Sequence, residues 1–117
     1  MHQPSQRPSI FEVSLAPEPP CLYLDLRGEL DLFSAKQMPR EAYTARPDLT
    51  TVVVDLSELT FCDVAGLSAL LTFRRLHESQ GRSVSIVGAS PFIQRLMRLC
   101  GVANRLHASR AATPSLV

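Results

Sequence analysis

The chain has 117 residues, of which 12 are Lys or Arg and 11 are Asp or Glu, giving a formal charge of +1. That length holds one domain with one core and is too short for two lobes around a deep catalytic cleft. A near-neutral balance with 45% hydrophobic residues lacks the basic surplus of a typical nucleic-acid binder and matches an ordinary globular composition.

Residues 1–9 are polar and carry two prolines, and read as a disordered tail. Ile10 to Leu15 then alternates, with Phe11, Val13 and Leu15 on one face, the pattern of an edge strand. Pro17, Pro19 and Pro20 mark a turn. Cys21 to Leu26 alternates again up to Arg27-Gly28, so the two strands are expected to form an antiparallel hairpin. Gly28-Glu29-Leu30-Asp31 leads into a stretch through Tyr43 that reads as a helix, with Asp31 or Ser34 as N-cap and Pro39 as a kink.

Thr51 to Leu56 is a continuous β-branched run, read as a strand covered on both faces. Ser57 to Cys62 reads as a loop. Asp63 is the expected N-cap of a helix from Val64 to about Gln80, with Leu67, Leu70, Leu71 and Phe73 to Leu76 in its apolar stripe and Gly81 ending it. Arg82 to Gly88 is the next strand, which makes residues 51–88 a βαβ unit with an expected right-handed crossover. Ser90-Pro91 starts a second helix that Gly101 stops. Arg105-Leu106-His107 reads as a short last strand and 109–117 as a frayed tail.

Chemistry-bearing groups are few. Cys21, Cys62 and Cys100 form no CxxC pair and have no nearby histidine, so neither zinc nor any other metal is expected. With no secretory leader visible and no apolar run long enough to span a membrane, free thiols in a reducing cytoplasm are the expectation. No Gly-rich phosphate loop and no Ser-His-Asp or Cys-His spacing stands out, so neither a cofactor nor enzymatic activity is expected. Cys62 reads as a small buried hydrophobe beside Phe61. His77, near a helix C-terminus, reads as a surface residue complementing the dipole. Arg74, Arg75, Arg95 and Arg98 read as solvated helix faces.

The segment Val52-Val53-Val54-Asp55-Leu56-Ser57-Glu58-Leu59-Thr60-Phe61-Cys62-Asp63-Val64-Ala65-Gly66-Leu67 resembles the signature of the STAS domain family, the anti-sigma factor antagonists of bacteria. Gly28-Glu29-Leu30-Asp31 is similar to that family's second landmark. The resemblance covers about residues 10–108, and its landmarks fall in order. It implies an α/β STAS-like sandwich: a small, mixed, mostly parallel sheet of 4–5 strands packed against 3–4 helices. It also implies binding to an anti-sigma factor, often a serine kinase, which switches the antagonist off by phosphorylating the first serine of an Asp-Ser-Ser-Gly stretch. A phosphate at a helix start adds about −1.5 to −2 charges to a docking surface, where free N–H groups favour it.

Here the two serine positions are Val64 and Ala65. Neither carries a hydroxyl, so phosphorylation control at this site is expected to be lost. The expected partner surface comprises Glu29, Asp31, Ser57, Thr60, Asp63, Val64, Ala65, Gly66 and Ser68. A plain capping role is the competing account for Asp63, a dipole-complementing one for Asp31, and a loop hydrogen bond for Ser57 and Asp55. The expected partner is an anti-sigma factor, with no direct nucleic-acid contact and no membrane span; the oligomeric state stays open, a weak homodimer included. The alternatives are an accessory STAS subunit of a membrane transporter, such as a lipid ABC system, and a module binding a nucleotide or other small ligand.

Overall fold

The computed structural model describes residues 10–39 and 46–101. Four strands, β1 (Phe11–Glu18), β2 (Cys21–Leu30), β3 (Thr51–Cys62) and β4 (Ser83–Val87), form one sheet in the order β1-β2-β3-β4. β1 and β2 are the expected antiparallel hairpin, while β2–β3 and β3–β4 pair in parallel. Helix α1 (Val64–Ser79) connects β3 to β4, and α2 (Pro91–Leu99) follows.

Register explains the core. Leu22, Val52 and Val84 lie in one row across the sheet, and Leu24, Val54 and Ile86 in the next; all six are fully buried. Leu67, Leu70 and Phe73 from α1 and Ile93 and Met97 from α2 join the same cluster. Each such side chain contributes about 1.5–3 kcal/mol of burial. The opposite face is different. In its row Tyr23 is exposed, Val53 half-buried and Ser85 buried. β3 is therefore covered fully on one face only, and the expectation of cover on both is corrected. A β-branched run satisfies a strand's conformational preference whether or not its second face is packed.

The second correction concerns residues 57–62, which continue β3 instead of forming a loop. Asp25 pairs with Asp55, but Leu30 pairs with Cys62, so β3 carries two extra residues over the same span. The two register shifts are β-bulges. Inward positions become Leu56, Leu59 and Cys62, a spacing of three that hides the alternation by which strands are read. Gly28 sits at this irregular stretch with φ +95, and a Cβ there would overlap the Ile10 carbonyl oxygen, which accepts the Glu29 amide at 2.8 Å. The Thr60 hydroxyl donates to the Gly28 carbonyl at 3.0 Å and fastens the bulged part of β3 to β2.

Local signals set the helices. Ser90 Oγ accepts the Ile93 amide at 3.2 Å with proline at the first helical position, and Gly81 and Gly101 take positive φ after the two helices. The helix expected from Asp31 through Tyr43 is replaced, within the described residues, by a capped turn and one 3-10 turn at Ala35–Gln37. Extended backbone at Met38, ψ 138, is what the following Pro39 imposes. The described residues thus hold two α-helices, fewer than the three or four expected. Residues 40–43 of that helix, the strand at 105–107 and both tails lie outside the described residues.

Two side chains expected at the surface are buried. His77 is fully enclosed, its ring centroid 4.4 Å from that of Phe73 and its Nδ1 3.4 Å from Arg82 Nη1. Arg82 also donates from Nε to the Leu49 carbonyl at 2.8 Å. Burial first, and the Arg82 charge second, push the His77 pKa down to about 4. Arg74 is 6% exposed and donates from Nε to Glu78 at 2.9 Å. Both follow the inward stripe, His77 four residues from Phe73 and Arg74 four from Leu70.

Candidate functional site

The start of α1 and the turn after β2 are built as one unit. Asp31 and Ser34 cap each other: Asp31 Oδ1 accepts the Ser34 amide at 2.9 Å, and Ser34 Oγ accepts the Asp31 amide at 2.9 Å. This is the reciprocal logic of a capping box. Asp31 Oδ1 also accepts the Phe33 amide at 3.0 Å, and the buried Ser34 hydroxyl donates to the Glu29 carbonyl at 2.7 Å. The turn is fixed by its own polar groups, so its two apolar tip residues stay outside: Leu32 is 66% and Phe33 75% exposed.

Asp63 joins this turn to the helix. Its backbone is extended, Oδ1 accepts the Gly66 amide at 2.8 Å, and Oδ2 accepts the Leu32 amide at 3.1 Å. Capping is thus a role the structure gives Asp63 directly. Gly66 is required by close approach: a Cβ there would overlap the Leu30 carbonyl oxygen and stand 3.0 Å from Cys62 Sγ. Missing a side chain, it lets the first turn of α1 rest on the end of β2.

On that platform Val64 is 61% exposed, Ala65 is half-buried and Ser68 is exposed. Ala65, Ser68, Leu32, Lys36 and Phe73 line a groove of about 480 Å³ between the turn and α1. Of the residues expected to share one surface, Asp31, Asp63, Val64, Ala65, Gly66 and Ser68 meet here. Glu29 is exposed at the end of β2, paired with Phe61. Thr60 is spent on the Gly28 carbonyl. Ser57 lies apart, in a polar cavity of about 290 Å³ with Glu12, Asp25 and Asp55, its amide held by Asp55 Oδ1 at 2.9 Å.

Leu32 and Phe33 are absent from the expected surface. Placed after the N-cap Asp31, they read as helix residues; the available signal was the Asp-x-x-Ser spacing, which caps a turn as readily as a helix. Cys62 is 1% exposed, and burial, then Asp63 and Cys100, push its thiol up to about 12. A thiol so raised is a poor nucleophile at neutral pH. Among the described residues no three His, Cys, Asp or Glu side chains are grouped to hold a metal ion, and no helix is long and apolar enough to cross a membrane.

Residues 13–108 match the family model described as "Mlab, STAS domain". Among solved structures, an anti-sigma factor antagonist from Mycobacterium paratuberculosis is similar at TM-score 0.67 and 21% identity, over 82% of each chain. The anti-sigma factor antagonist SpoIIAA in its unphosphorylated form is similar at TM-score 0.62 and 20% identity, over 81% of this chain and 84% of that one. Part of the murine solute carrier 26 family member A9 anion transporter is similar at TM-score 0.56 and 15% identity, over 76% of this chain and 14% of that one. At these identities the likeness is one of fold.

Proposed function

The chain belongs to the STAS domain family, and from that premise we propose that it works by stoichiometric binding to a protein partner, an anti-sigma factor of the serine-kinase type, and not by catalysis. The observation that carries this reading is the start of α1. Asp63 holds the helix and the neighbouring turn in one geometry, and Val64 stands on it 61% exposed. In the antagonists that this chain resembles, the matching position carries the serine that a kinase phosphorylates. With Val64 there, the helix start takes no phosphate at that position. Control then comes from abundance, from the partner's own switch or from another ligand. Small apolar side chains at 64 and 65 suit the dry centre of an interface.

The test is affinity purification of the tagged chain, followed by titration of the recovered protein with purified components. An anti-sigma factor kinase bound one to one supports the reading. Recovery of a permease or an ATPase without any anti-sigma factor overturns it. That outcome supports the second reading, an accessory subunit of a membrane transporter, which the fold likeness to part of an anion transporter favours.

A further inference from the structure

We propose that the Leu32–Phe33 turn is the apolar anchor of this surface and that its partner presents an apolar recess bordered by Lys or Arg, an inference that rests on the protein-binding reading above. Three observations carry it. Leu32, Phe33 and Val64 are 66%, 75% and 61% exposed, and they belong to one unit because the Leu32 amide is bonded to the Asp63 carboxylate and Leu32 shares a groove with Ala65. Exposed apolar side chains of this size gathered on one bonded unit mark contact sites. Second, the turn that presents them is closed by the Asp31–Ser34 bonds and by Asp63. Its shape exists before any partner arrives, so little conformational freedom is lost on binding. Third, among the described residues the unit's own charged groups are the carboxylates of Asp31 and Asp63, exposed Glu29 precedes the turn, and Lys36 is the one cation lining the groove.

Charge separates the occupants. A second copy docking about a two-fold axis would bring like carboxylates together, and an anionic lipid surface would meet the same repulsion. A partner with basic residues around an apolar recess is complementary on both counts. Phe33 would fill the centre of that recess, the place where aromatic side chains carry most of an interface's energy. Glu29 at the rim would act on association rate and salt dependence.

The test uses the full chain with Phe33→p-benzoylphenylalanine, irradiated in its native cells, with Val64→p-benzoylphenylalanine in parallel. The crosslinked peptide is identified by mass spectrometry, and the protein it belongs to is purified and titrated. The expected peptide carries apolar residues flanked by Lys or Arg. Phe33→Asp is expected to weaken binding at least tenfold and Glu29→Lys about threefold, with a smaller salt dependence. Gln80→Asp, at the far end of α1, stays within twofold. All three sites are exposed, so melting temperatures should match the wild type. Crosslinks to another copy of this chain or to lipid overturn the proposal, as do a crosslink from position 64 with none from 33 and an affinity that Phe33→Asp leaves unchanged. No crosslink from either position overturns the protein-binding reading as well. A partner that meets the expectations but is no anti-sigma factor overturns the anti-sigma assignment and supports the anchor. An anti-sigma factor indifferent to Phe33→Asp does the reverse.

Discussion

Across 31 residues of sequence, the Asp63 carboxylate accepts the amide of Leu32 at 3.1 Å. Its other oxygen caps α1 through Gly66. Asp63→Ala removes both bonds and is expected to cost about 1–2 kcal/mol, the upper part of the roughly 0.5–2 kcal/mol range for losing an N-cap. Asp63→Asn keeps one accepting oxygen and should fall between. Urea denaturation gives the stabilities, and amide exchange at Leu32 should speed up in Asp63→Ala before the sheet amides respond.

Gly66→Ala makes a sharper case. Alanine is favoured over glycine in a helix by about 1 kcal/mol, and propensity alone predicts stabilisation. The added Cβ would overlap the Leu30 carbonyl oxygen, so the helix start must lift from β2. A net loss on the order of 2 kcal/mol is expected, since overpacking costs about 1–3. A urea midpoint at or above that of the wild type would refute the close-approach account.

Acid sensitivity follows from His77. Its folded-state pKa lies at about 4, below the ordinary value of 6.5. Neutral His77 therefore contributes in full above pH 6.5, and that contribution is lost as pH falls through about 4, because the unfolded chain takes up the proton first. Stability should drop on the order of 2 kcal/mol across that window from this group. An NMR titration of the ring should show a midpoint near 4, and His77→Leu should flatten the pH dependence over 6.5 to 4. A midpoint near 6.5 would place the ring in water.

Phosphorylation offers a direct reading of Val64. Given a cognate anti-sigma factor kinase and ATP, the wild type should take no phosphate at the helix start. Val64→Ser should take one there, since the position is 61% exposed. Label at Ser57 or Ser68 in the wild type, located by mass spectrometry, would mean that the acceptor has moved. Ser68 is exposed on α1 beside the groove, whereas Ser57 stands in a separate cavity.

How much of this was legible depended on whether the signal was local. As caps and stops, Asp63, Gly81, Ser90 with Pro91, and Gly101 act within one turn of their own helix ends, and α1 and α2 begin and end where these residues place them. The β1–β2 hairpin and the β3–α1–β4 unit were equally visible, as periodicity and turn residues. Residues 57–62 were not, because bulges are defined by the partner strand. Asp31 was recognised as a cap, but what it capped depended on Pro39 and on Asp63, 32 positions from it. His77 and Arg74 were misplaced for another reason: their polarity outweighed helical spacing that already put them on the inward stripe. Leu32 and Phe33 were missed because their exposure depends on Asp63 holding the turn.

The two surplus residues in β3 decide which way the side chains at its end point. From Asp55 to Cys62 the strand advances seven positions while β2 advances five. A single deletion there would leave five steps between Leu56 and Cys62 in place of six, an odd number, so removing one residue erases one bulge and turns the flanking side chains over. Length in this segment is a phase setting. One lost codon between Leu56 and Cys62 would re-aim the residues that carry the surface, whatever side chains stand at Val64 and Ala65.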